Sequence, residues 1–189
     1  MIITISGMPG SGKSTVAKLL AKRLKMKRYC MGQMRRGIAK EKGMTIGEFN
    51  RLGESEAWTD RTVDAYQKEL GRKEDNFIIE GRTSFHFIPN SVKVLLLVNI
   101  KTGAKRIFGE IKKGGGKRNE GDLKSADEAE KSIKERLASD ERRYRKYYNL
   151  DVMDKSHYDI VIDTTHLTAG QVVERIIGDI KKMSSKKKK

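Results

Sequence analysis

Eight residues near the start, Gly7-Met8-Pro9-Gly10-Ser11-Gly12-Lys13-Ser14, restrict the possible folds of this chain more than any other feature. They match G-x-x-x-x-G-K-[ST], and their neighbours supply the context the pattern needs. Ile2-Ile3-Thr4-Ile5-Ser6 is a short β-branched apolar run, the mark of a buried strand. From Lys13 onward, Val16, Leu19, Leu20 and Leu24 recur at helical spacing among lysines. A strand passing through a glycine loop into a helix turns backbone N–H groups inward around phosphate oxygens, and the helix N-terminus adds its positive dipole. Gly7, Met8, Pro9, Gly10, Ser11, Gly12, Lys13, Ser14 and Thr15 are therefore the expected donor-nucleotide site. Lys13 is placed to reach the β- and γ-phosphates and the Ser14 hydroxyl to ligate Mg²⁺. The motif speaks for a nucleoside triphosphate and is silent on the acceptor.

The remaining pattern extends this start into one α/β domain, which suits a chain of 189 residues that is 37% hydrophobic. Phe77-Ile78-Ile79, Val92–Val98 and Tyr158–Ile162 read as further strands. Helices are expected over 33–42, 45–53, 55–71, 102–112, 126–148 and 168–183. Alternation of the two types implies a parallel sheet with right-handed crossovers. The stretch of about 30–72 reads as an insertion, and about 107–140, with the basic glycine loop 112–118, as a second, mobile excursion. The domain is expected to span 1–183, followed by a basic disordered tail at 184–189.

Several function classes are excluded early. One cysteine, Cys30, makes no disulfide framework and fits a reducing cytoplasm. The three histidines are scattered, with no zinc-ligand spacing. No apolar run approaches the roughly 20 residues that span a bilayer, so no membrane partner is expected. The net charge is +16, and residues 1–40 carry ten basic side chains and no acid. Such a field draws polyanions, either phosphorylated metabolites or nucleic acid.

No Ser-His-Asp or Cys-His arrangement can be assembled. An acceptor that is itself a phosphate needs none, because its oxygen is already anionic. What that transfer needs is cancellation of charge, by arginines with a planar two-pronged grip and by Mg²⁺. Arg35 and Arg36 open the first insertion, Arg61 lies within it, and Arg82 follows Glu80-Gly81 at a strand end. Arg106 and Arg118 flank the basic loop, while Arg136, Asp140 and Arg143 share one helical face. Glu80 ends its strand at the edge where ligands bind in such sheets, placed to position metal-bound water or else to pair with Arg82 or Lys13.

Gly7–Thr15, Cys30-Met31-Gly32 with Arg36, Glu80-Gly81-Arg82, Lys134-Glu135-Arg136 with Ser139-Asp140 and Arg143-Tyr144, and Tyr158–Asp163 with Thr164 occur in one order. That order resembles the short archaeal-type cytidylate kinases among the P-loop nucleoside monophosphate kinases. The resemblance implies an adenylate-kinase-like three-layer fold around a five-stranded parallel sheet, with a monophosphate-binding insertion and a lid. It implies Arg36 and Arg82 on the acceptor nucleotide and Asp140 on its sugar. Lys13, Arg106, Arg136 and Arg143 would serve catalysis, the three arginines closing over the phosphates. The implied reaction is ATP- and Mg²⁺-dependent phosphorylation of CMP or dCMP; separately, a monomer is expected. Cytosine is inherited from the family, so AMP, UMP or another phosphorylated metabolite stays open as acceptor, as does a nucleotide-switched RNA-binding protein.

Overall fold

The computed structural model describes residues 1–113 and 123–186. Five strands, β1 (Ile2–Gly7), β2 (Lys27–Cys30), β3 (Phe77–Glu80), β4 (Val92–Leu97) and β5 (Ile160–Asp163), form one sheet in the order β2-β3-β1-β4-β5. Every pairing is parallel. Eight helices connect or flank them: α1 (Lys13–Leu24), α2 (Met31–Glu41), α3 (Ile46–Ser55), α4 (Trp58–Lys73), α5 (Ser84–Phe87), α6 (Ile100–Lys112), α7 (Ala126–Tyr148) and α8 (Ala169–Lys186). The five-stranded parallel sheet expected above is thus present. Its edge strand β2 escapes a hydrophobicity reading, because Lys27-Arg28-Tyr29-Cys30 holds no apolar run and only one of its sides is paired.

The sheet separates two apolar layers. On one face Ile3, Ile5 and Ile78 pack with Val16 and Leu20 of α1 and Val172 and Ile176 of α8. On the other, Phe77 and Ile79 meet Met31 of α2, and Val63 and Leu70 of α4. A smaller cluster of Ala104, Ile107, Ala129 and Ile133 joins α6 to α7. Helices α2 to α4 fill the crossover from β2 to β3, and α3 begins with a complete capping box between Thr45 and Glu48.

Several boundaries shift: α2, α3 and α4 cover 31–41, 46–55 and 58–73 rather than 33–42, 45–53 and 55–71. β5 begins at Ile160 rather than Tyr158, and α6 begins at Ile100 behind an Asn99 cap. Helix α8 continues through Ser184 and Ser185, beyond where the charge pattern ends the domain, and both hydroxyls bond carbonyls four residues back. The basic loop lies mainly outside the described residues, as do Arg118 and Lys187–Lys189.

Two glycines hold the phosphate loop against the sheet and α6. Gly7 has φ +143°, and a Cβ there would lie 2.1 Å from the Leu96 carbonyl oxygen. Gly10 has φ +76°, and its Cβ would lie 2.5 Å from the Gly103 Cα. Gly10→Ala is therefore expected to lower stability by about 2–4 kcal/mol. Gly178→Ala, inside α8 where a Cβ meets nothing within 4 Å, should raise it by about 0.5–1 kcal/mol. Urea denaturation of the two variants checks both signs.

Candidate active site

The carboxyl ends of β1 and β3 bring the phosphate loop and Glu80 together. Lys13 Nζ donates to the carbonyls of Gly7 at 2.7 Å and Met8 at 2.6 Å, which holds the ammonium over the loop. The Ser14 hydroxyl donates to Glu80 Oε2 at 2.6 Å. The other Glu80 oxygen takes Arg28 Nη1 at 2.6 Å, a cation that comes from β2. Glu80 is buried at the end of β3, opposite Cys30 in the register. A hydroxyl and a carboxylate in contact are the oxygen donors that Mg²⁺ takes beside waters and phosphates. The described residues hold no cluster of three acidic, histidine or cysteine ligands, so the pair fits that ion better than an all-protein metal cage.

A cleft of about 490 Å³ runs from this loop to α2, α4 and α7. Arg36, Arg82, Arg136 and Asp140 all line it. Arg82 is anchored at both ends of its guanidinium. Nη1 donates to the Gly7 carbonyl at 2.6 Å, and Nε pairs with Asp140. Arg106 lines a neighbouring cavity of about 390 Å³, which shares Gly10, Gly12 and Thr15 with the cleft. Its guanidinium donates to the carbonyls of Thr164 at 2.9 Å and Thr165 at 3.2 Å. Arg61 is exposed, away from the cleft.

Arg143 does not line the cleft. Its side chain is wholly buried beneath it, and it bonds Asp60 on one side and Asp140 on the other. A side chain fully enclosed this way has no surface to close over phosphates, so it is better read as a brace than as a phosphate ligand. Asp140 is likewise enclosed, between Arg82 and Arg143. Burial opposes its charge, yet Arg82, Arg143 and Arg136 together hold its carboxyl below the usual carboxylate range. Its partners are thus ionic, which differs from a carboxylate reserved for a neutral sugar hydroxyl.

The other end of the brace was not foreseen. Asp60 Oδ1 takes Arg35 Nη1 at 2.9 Å as well as Arg143, tying α2, α4 and α7 together. Burial and the nearby Arg143 pull the Arg35 guanidinium below its ordinary value, against the pull of Asp60. A signal for Asp60 exists in the sequence. Asp60, Val63, Asp64, Gln67 and Leu70 share one helical face, and acids on the same face as buried Val63 and Leu70 need a reason to be there.

Comparison with known proteins bears on this arrangement. Residues 2–166 match the family model described as "Cytidylate kinase-like family". The cytidylate kinase of Methanocella arvoryzae is 36% identical over 185 residues, covering 96% of this chain and 99% of that protein. That of Archaeoglobus fulgidus is 36% identical over 178 residues, covering 94% and 93%. Among solved structures, the shikimate kinase of Acinetobacter baumannii superposes with a TM-score of 0.61 at 18% identity, covering 95% of this chain and 92% of that one. The structural likeness is one of fold. With a phosphate loop on β1, a five-stranded parallel sheet and sequence similarity over almost its whole length, the chain belongs to the cytidylate kinase-like family and is a P-loop enzyme of the nucleoside monophosphate kinase type.

Proposed function

We propose that the protein transfers the γ-phosphoryl group of ATP to CMP or dCMP, with Mg²⁺, releasing ADP and the nucleoside diphosphate. The observation that carries this reading is the cleft itself. Lys13 and Ser14 line it together with Arg36, Arg82 and Arg136, so donor and acceptor phosphates would meet among cations. The names of the archaeal relatives support cytidylate as the acceptor.

In this reading the glycine loop and Lys13 bind the donor's β- and γ-phosphates. Arg36 and Arg82 orient the acceptor phosphate, one oxygen of which attacks the γ-phosphorus as its bond to the β,γ-bridging oxygen breaks. No general base is required, because the attacking oxygen carries the negative charge already. Ser14 and Glu80 would hold Mg²⁺, the serine directly and Glu80 through water, and that ion supplies charge neutralisation on the donor phosphates. Arg106 flanks the donor side of the loop. Asp60, Asp140 and Arg143 keep Arg35 and Arg82 in place, which preorganises the cations before either substrate arrives.

A coupled assay of ADP release across the common nucleoside monophosphates tests the reading. CMP and dCMP should turn over, and equal or better rates with AMP or UMP would replace the acceptor. Two variants probe the parts. Glu80→Gln keeps the shape but loses the charge, so the Mg²⁺ concentration giving half-maximal rate should rise about tenfold. Arg136→Lys keeps the charge but loses the fork, and kcat should fall about 10²-fold with little change in melting temperature. Unaltered kinetics in Arg136→Lys would remove that residue from the transfer.

A further inference from the structure

One buried acid in the cleft has no part in the transfer just described. Asp64 follows Asp60 by one turn of α4 and is 5% exposed. Its Oδ1 accepts from Gln67 Nε2 at 2.9 Å and Thr83 Oγ1 at 3.0 Å, and its Oδ2 accepts from the Tyr148 hydroxyl. An ionised carboxylate has room for about four donors. Three positions are filled among the described residues, which leaves one on Oδ2 of a side chain that lines the cleft.

The surroundings match a planar base. Met31, Val63 and Tyr144 line the same cleft with buried apolar or aromatic surface. Gln67 and Thr83 add a polar edge beside Asp64. The cluster also adjoins a cation given to the acceptor phosphate. Thr83 directly follows Arg82. A nucleotide whose phosphate meets the arginines would carry its base, one sugar away, to this end.

We propose that Asp64, held by Gln67, Thr83 and Tyr148, determines base specificity by accepting an N–H from the exocyclic amino group of the acceptor's base. This deepens, and rests on, the acceptor reading above. Cytosine presents that amino donor where uracil presents a carbonyl oxygen, and carboxylates pair with the cytosine amino group elsewhere in recognition. A uracil oxygen facing the Asp64 carboxylate leaves two buried acceptors with no proton between them, which is costly. Tyr148 and Thr83 hold the carboxylate from α7 and from the turn after β3, so its orientation does not depend on the ligand.

The test is kcat/KM for CMP and for UMP, with wild type and with Asp64→Asn. Wild type should favour CMP by about 100-fold or more. Asparagine can turn an N–H toward the uracil oxygen, so Asp64→Asn should lower the CMP value about 100-fold and bring the ratio within about tenfold of unity. Equal losses with both substrates, at an unchanged ratio, would make Asp64 merely structural and overturn the inference. Wild type that turned over neither pyrimidine would instead overturn the acceptor reading, and the inference with it.

If Asp64→Asn lacks a cooperative melt, the wild-type CMP to UMP ratio is followed from pH 8 to pH 5. Burial pushes the Asp64 carboxyl up to about 6, with Tyr148 and Thr83 pulling down, Asp60 pushing up and Arg35 pulling down. Below that pH the carboxyl becomes a donor facing the cytosine donor, so the ratio should fall about tenfold. A ratio that does not change with pH overturns the inference.

Discussion

Replacing Lys13 by alanine is expected to lower kcat about 10³-fold while the protein stays folded. The ammonium sits over the Gly7 and Met8 carbonyls, where it is held for the donor phosphates. Losing its bonds to these neutral carbonyls should cost about 1–3 kcal/mol. In the proposed transfer, the positive charge beside the β- and γ-phosphates would be lost. The ADP-release assay and a urea denaturation curve on the same preparation separate the two effects. Turnover near the wild-type rate would remove the loop from the mechanism.

Arg143→Ala is expected to do the reverse and act first on stability. The guanidinium is fully enclosed and bonded to two carboxylates, Asp60 and Asp140. Removing one member of a buried ionic cluster strands the others, at about 3–5 kcal/mol. For a chain of this length that corresponds to a fall of about 6–20 °C in melting temperature. Activity should fall as well, since Asp140 holds Arg82 and Asp60 holds Arg35. A variant with an unchanged melt and a much reduced kcat would instead place Arg143 on the phosphates. Asp60→Asn should share the stability loss of Arg143→Ala, and the double variant should lose less than the sum, because the two residues act through one contact.

The opposite fates of Lys13 and Arg143 show how far residue patterns reach. The phosphate loop was legible because its chemistry is local. Consecutive backbone N–H groups, one lysine and one serine do the work, and the strand and helix that present them adjoin it in the chain. The inner strands β1, β3 and β4 were equally legible, since strands covered on both faces are largely apolar, and the edge strand β5 was legible from Ile160-Val161-Ile162. Strand β2 was not, because an edge strand carrying Lys27 and Arg28 satisfies its backbone without an apolar run.

The proposed acceptor end of the cleft is assembled from α2, α4, the turn after β3 and α7, segments far apart in the chain. The helical spacing of Arg136, Asp140 and Arg143 placed them on one face, but spacing cannot say which of them meets solvent and which meets Asp60. Asp60 lies 83 residues away from Arg143 and Tyr148 lies 84 residues from Asp64. Charge identity therefore came from the chain alone, together with the donor loop and the alternation of strand and helix. Whether each charge serves as brace, phosphate ligand or base reader depends on which partners burial brings within hydrogen-bond reach. In a low-dielectric interior it is those partners, and not the side chain's own type, that decide whether a charge is spent on the fold or left to act on a substrate.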